Sequence, residues 1–248
     1  MNYSRCYLFL FLCCAALAMG EEPPHTTSSR LTVGSGYTFL QQGQGNGNLG
    51  AFYSSYIYQS VGQFYSGITF KWEEGSIQVS ERNKRLLDID TQERLGYTFG
   101  QAHRNWILSL FTGLGYRYLN QEEVWFNVSF SSSHNNLYVP VGLFIEGKIG
   151  PYLQLGVSGQ WRPQVYSAMT ISSRHGITWI TERKLANFLL EVPFRVKAHS
   201  NYQIYLTLNP FMDFWQEGQT LAEFLGGLPI PEQTFLFVGI DASLSLYF

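Results

Sequence analysis

The sequence predicts an all-β chain, an antiparallel up-and-down transmembrane β-barrel of ten strands, with eight strands as the alternative. Three observations lead there. Apolar residues recur at every second position through most of the chain, charged residues keep to the opposite face, and aromatic residues gather where the alternating segments end. Composition fits this pattern: of 248 residues, 45% are apolar, 17% aromatic and only 14% charged, while the mean hydropathy is −0.07. A typical globular chain is about 25% charged. No apolar run reaches the ~20 residues that a membrane helix requires. A formal charge of −2 leaves no excess of basic residues for a nucleic-acid-binding face.

Arg5 followed by the uncharged run Cys6 to Ala18 reads as a secretory signal peptide over residues 1–20. Ala18 and Gly20 supply the small residues that place cleavage before Glu21. All three cysteines (Cys6, Cys13 and Cys14) fall inside this leader, so the rest of the chain is expected to carry no disulfide. Residues 21–30 (EEPPHTTSSR) are polar and Pro-rich and are expected to form a disordered lead-in, with the barrel over 31–248.

Within the barrel, Phe64, Ile68, Phe70 and Trp72 face away from Lys71 and Glu73. A fourth strand is expected at roughly 87–99, where Glu93 interrupts the apolar face. Trp106, Leu108, Leu110, Leu114, Tyr116 and Tyr118 oppose Arg117. Leu137, Val139, Val141, Leu143 and Ile145 oppose Glu146 and Lys148. Ala186, Phe188, Leu190, Val192, Phe194 and Val196 oppose Glu191, Arg195 and Lys197, and Asp241 lies opposite the last apolar face.

A soluble sandwich also alternates, but these strands approach the ~9–11 residues of a tilted membrane strand. The aromatic residues Tyr37, Phe39, Tyr116, Tyr118, Trp161, Phe211, Phe214 and Trp215 are expected in interfacial girdles. Short links at Ser60–Gln63, Gln101–Asn105, Lys148–Pro151 and Ala198–Asn201 alternate with long ones. The long links are expected at Leu40–Asn48, Glu74–Arg85, Asn120–Asn136, Pro163–Lys184 and Asp213–Gln233. That asymmetry matches short periplasmic turns and long extracellular loops, with both termini periplasmic. Pro140 and Pro193, at the ends of two Leu-x-Val-Pro segments, cannot donate to a ladder and are expected at bulges or strand starts.

The terminal pattern Ile240-x-Ala242-x-Leu244-x-Leu246-x-Phe248 resembles the signal read by the assembly machinery of Gram-negative outer-membrane barrels. The Leu-x-Val-Pro hairpins, above all LYVPVGLFIEGKIGPYLQLGVSG, resemble the porin-like outer-membrane β-barrel-domain family. The resemblance implies a bacterial outer-membrane location. It also implies outer-membrane lipid, the barrel-assembly machinery and periplasmic chaperones as partners. It implies no particular ligand, because that family is functionally mixed.

The alternation sends Glu73, Asp88, Asp90, Glu146, Glu191 and Asp241 into the lumen, with Lys71, Arg94, Arg117, Arg162, Arg195 and Lys197. Equal numbers of acids and bases are expected to pair, because a lone buried charge is costly. An ion-selective pore would show an excess of one sign. The expectation is therefore a mostly filled barrel, with any channel narrow.

No catalytic constellation emerges. Asp88-Ile89-Asp90 resembles one half of the omptin-type protease pattern, but that pattern also needs an Asp-x-His pair, and no histidine here has Asp two residues before it. His199-Ser200 departs from the lipid A deacylase pattern, which separates His and Ser by one residue. The histidines are scattered without metal-ligand spacing, so neither a metal nor a cofactor is expected.

Function is instead expected in the outer loops. Trp179 lies in a mildly basic loop, and Leu221, Phe224 and Leu225 are spaced as one short helical turn. The reading is a non-enzymatic barrel with a structural, adhesive or interaction role toward a host or surface ligand. A narrow passive channel is the alternative, and a surface hydrolase trails both.

Overall fold

The computed structural model describes residues 27–60, 62–79, 82–99, 106–125, 128–173, 176–181, 185–198, 203–218, 220–222, 228–230 and 232–248. The expected signal peptide, the first part of the expected lead-in, His199, Ser200, Phe224 and Leu225 lie outside the described residues.

Ten antiparallel strands close into a barrel. They are β1 (Thr27–Gln42), β2 (Gly45–Ser60), β3 (Phe64–Val79), β4 (Arg82–Phe99) and β5 (Trp106–Trp125). Next come β6 (Val128–Tyr138, resuming as Val141–Lys148) and β7 (Leu153–Ser173). The eighth, β8, runs in three pieces, Gly176–Thr181, Ala186–Glu191 and Phe194–Lys197, all paired with β7. The last two are β9 (Ile204–Glu217) and β10 (Gln233–Tyr247). Each strand pairs with its sequence neighbours, and β10 returns to β1 from Arg30↔Tyr247 to Gln42↔Phe235. Around the part nearer the termini the ring of paired strands is closed among the described residues, the condition for crossing a bilayer with strands, whereas Gly176–Thr181 pairs on one side only, with β7.

The prolines fall at the two gaps in β6 and β8. Val139 N donates to Pro163 O at 3.1 Å and Val192 N to Pro210 O at 3.0 Å, so the ladder continues around each Pro. A bulge between Leu137 and Tyr138 sets Tyr138 against Gln164 and Leu137 against Tyr166. It leaves both Val165 and Tyr166 outward and exposed.

The segments expected as long loops are mostly strand. Leu40–Asn48 is a two-residue turn, with Gly43 at φ 56, between the ends of β1 and β2. β3 and β4 continue to Val79 and from Arg82, β7 runs on to Ser173, and β9 reaches Glu217. The lead-in is shorter than expected, since β1 already begins at Thr27. In the last connection Thr220–Ala222 pairs with Leu228–Ile230, so Leu221 lies on a strand opposite Pro229 rather than in a helical turn. Trp179 likewise belongs to a strand, Gly176–Thr181.

These extensions explain why the strands are so long. In the part nearer the termini, apolar side chains point outward: Ile68, Leu110, Leu114, Leu143, Leu208, Ile240 and Leu244 are all at least 40% exposed. Toward the other end the phase inverts. Leu40, Leu49, Ile77, Leu86, Leu119, Tyr138, Phe211, Trp215, Phe235 and Phe237 point inward and form one buried cluster. Outside the same stretch Asn46, Asn48, Ser76 and Gln78 are exposed. One end of the barrel is therefore built for lipid outside, and the other for water outside and an apolar core within. At ~3.3 Å per residue and a tilt near ~40°, the residues that follow Trp161 as far as Ser173 carry the wall about 30 Å beyond the aromatic girdle.

Candidate functional site

Girdle residues Tyr37, Phe39 and Trp161 are exposed on the outer face, as expected. Phe211 and Trp215 are not. They occupy odd positions of β9, whose odd side chains face the lumen, and are 6% and 0% exposed. The terminal strand presents Ile240, Ala242 and Leu244 outward as exposed residues, with Leu246 and Phe248 half-buried.

The lumen beneath the apolar cluster is a network of charges. Arg117 reaches Asp88 on β4 with Nη2 at 2.5 Å and Asp213 on β9 with Nη1 at 2.9 Å, spanning the barrel. Arg162 pairs with Asp90 at 3.1 Å and also with Asp213. Tyr138 donates its hydroxyl to Asp90 at 2.5 Å. The Arg117 guanidinium lies 4.6 Å from the Trp215 ring and 4.5 Å from that of Phe237, which joins the network to the apolar cluster above. Lys71 pairs with Glu73 at 3.1 Å and approaches Asp241 at 4.0 Å, and Thr38 donates to Glu73.

Nearer the termini Glu146 receives both Arg30 at 3.0 Å and Arg195 at 2.9 Å. Arg94 donates to Gln92 at 2.7 Å and stands over the Phe111 ring. Glu191 accepts from Asn209 at 3.3 Å. Lys197 sits at the strand end, with no ion pair among the described residues.

Four lumen groups were missed in the sequence. Arg30 falls in the expected lead-in, and Asp213 and Glu217 in the expected last loop, whereas His134 is one of the scattered histidines. His134 Nδ1 lies 3.7 Å from Glu217, which also accepts from Trp215 Nε1 at 2.6 Å and Asn136 at 3.0 Å. A signal for Asp213 was present: Leu206, Leu208 and Met212 face outward, so an odd position between Phe211 and Trp215 must face inward.

Two spaces remain. A cavity of about 50 Å³ toward the terminal end is lined by Arg30, Arg94, Glu191, Arg195, Asn209 and Asp241, with room for a water or two. A shallow groove of about 330 Å³ lies on the projecting part of the barrel, between Asn46, Asn48, Ser76, Gln78, Arg82 and Asn83. Among the described residues no group of three or more His, Cys, Asp or Glu is placed to hold a metal ion.

No family model matches the chain, the porin-like family included, and no curated protein matches it in sequence. Solved structures do resemble it in fold. The outer membrane protease OmpT from Escherichia coli aligns at a TM-score of 0.56 with 9% identity, over 93% of this chain and 99% of that one. The translocator domain of the autotransporter NalP from Neisseria meningitidis aligns at 0.48 with 8% identity, over 98% and 96% of the two chains. Identity this low speaks for architecture alone: the chain has the fold of an outer-membrane β-barrel.

Proposed function

We propose that this chain is a closed, non-enzymatic barrel of the bacterial outer membrane whose projecting wall acts as an interaction surface, structural or adhesive in role. One observation carries the reading. The lumen is stopped across its width by Arg117 and Arg162 between β4 and β9, and is filled above them by the apolar cluster. A conducting pore needs a continuous polar path, whereas Trp215, Phe235 and Phe237 at 0% exposure supply packing.

The same clamp argues against catalysis. Asp88, Asp90 and Asp213 each bind a guanidinium, and the residue two places after Asp213 is Trp215, where an omptin-type pair requires His. A substrate would have to displace side chains that are 1% exposed.

The chain is exported by the leader at residues 1–20, handed by periplasmic chaperones to the barrel-assembly machinery, and embedded with its apolar belt in lipid. Its contact with a host or surface ligand uses the part beyond the girdle. The groove around Asn48, Ser76 and Gln78 offers carboxamides and hydroxyls, which suit hydrogen-bonded rather than apolar contact.

Planar-bilayer recording of the refolded protein tests the reading, with a heat-modifiable gel band as proof of folding. Silence is expected. Steady single-channel conductance would overturn the closed barrel and favour the narrow channel. Cleavage of a peptide panel that is lost in Asp88→Asn would overturn the non-enzymatic assignment.

A further inference from the structure

Glu93 contradicts the design of the wall that carries it. It stands on the outer face of β4, paired laterally with Ile68 on β3 and Leu114 on β5, each 55% exposed. Glu93 is itself exposed and makes no hydrogen bond or ion pair among the described residues. Along β4 it lies four residues from Tyr97 at one end of the apolar belt and four from Ile89, which is flanked by Trp72 and Tyr118, at the other. At ~3.3 Å per residue and a tilt near ~40°, that is about 10 Å of depth from either edge, the middle of a belt ~25 Å tall. Among the described residues of that belt it is the one charged side chain facing out.

Its surroundings are specific. Ser66 and Thr112 flank Leu95, the next outward residue on β4, and Thr91 is the previous one. One carboxyl and three hydroxyls thus share a patch rimmed by Ile68, Leu95 and Leu114. We propose that this face of β3–β5 is the interface of a two-fold homodimer, in which Glu93 of each copy is hydrogen-bonded by the hydroxyls of the other.

A two-fold contact sets the same patch against itself, so the patch must be self-complementary. Donors and an acceptor side by side meet that requirement, and each contact satisfies two carboxyls at once. A cationic partner would need a Lys or Arg held at the same depth, which costs more in lipid than a hydroxyl does. The aliphatic rim supplies the apolar packing that keeps lipid and water from the hydrogen bonds.

All three cysteines precede residue 15, so single-cysteine variants of the barrel report cleanly. In native outer-membrane vesicles treated with a flexible bismaleimide cross-linker, which reaches across the strand either side of Glu93, Ile68→Cys and Leu114→Cys are each expected to give a covalent dimer. Leu206→Cys, on the opposite wall, gives none. Adding Glu93→Leu weakens dimerisation at least about sevenfold, the effect of losing two modest hydrogen bonds in lipid, while Glu93→Gln retains it. The heat-modifiable band monitors folding of every variant. Cross-linking no higher than that of Leu206→Cys at both positions overturns the proposal. So does a dimer indifferent to Glu93→Leu, or a cross-link to a different protein.

Discussion

Arg117→Met tests whether the charge network holds the barrel shut or merely decorates its lumen. Arg117 is 1% exposed and Asp88 is 2% exposed. Among the described residues Arg117 is the one cation within ion-pair distance of Asp88, at 2.5 Å, while Asp213 keeps Arg162. Methionine preserves the stem and a sulfur contact to Trp215 and Phe237, so packing loss is small. What remains is a buried carboxylate without its partner, and breaking such a pair costs ~3–5 kcal/mol.

Adding Asp88→Asn removes the stranded charge. The double variant should then lose only about 1 kcal/mol of hydrogen bonding relative to the intact protein. The cycle therefore predicts a coupling of ~2 kcal/mol or more. Urea unfolding in phospholipid vesicles, followed by tryptophan fluorescence and the heat-modifiable band, measures Arg117→Met, Asp88→Asn alone and the double variant. A single-variant loss below ~1 kcal/mol, or a double variant no more stable than the single, would refute the account.

The two faces of the wall respond differently to charge. Leu244→Arg on the lipid face should cost ~2–4 kcal/mol, whereas Ser76→Arg on the projecting wall should stay within ~0.5 kcal/mol in the same unfolding assay. Trp215→Ala empties the centre of the buried cluster and should cost ~3–5 kcal/mol by the same measurement. Gly115→Ala would set a Cβ 2.1 Å from Tyr138 Cζ, so the ring must shift and lose its bond to Asp90, at a cost of ~1–3 kcal/mol. A variant with Tyr138→Phe in the same background should then show less than the sum of the two separate losses.

Strand existence was legible wherever lipid wrote the pattern. Even the proline gaps at 139–140 and 192–193 fall where Leu-x-Val-Pro stands. Strand length was not legible, because hydrophobic alternation reports the medium on each face rather than hydrogen-bonded pairing. Past the girdle the apolar side chains change sides. At each crossing two apolar residues become neighbours, and the alternation looks broken: Phe39-Leu40, Leu86-Leu87, Tyr118-Leu119, Phe211-Met212 and Phe237-Val238. Read as strand ends, the first four of these pairs turn the projecting wall into loops, while the last strand is read through Phe237-Val238 from Thr234 onward. The pairs are the points where the outside changes from lipid to water.

The same inversion explains the part of the lumen network that sequence did not disclose, and why the barrel is closed. Asp213 and Glu217 lie beyond a crossing on β9, in a stretch of strand whose broken alternation reads as a loop. Their partners Arg117 and Trp215 lie on either side of the boundary between charged lumen and apolar cluster. A wall that rises out of the bilayer has water on its outer face, so its apolar side chains can be buried only inward. Each is worth ~1.5–3 kcal/mol when fully buried. A polar channel through that stretch would give this stabilisation up at every inward position. The seal is thus the core that lets strands of up to 21 residues stand above the membrane. Opening the lumen and shortening the wall are, for this sequence, the same change.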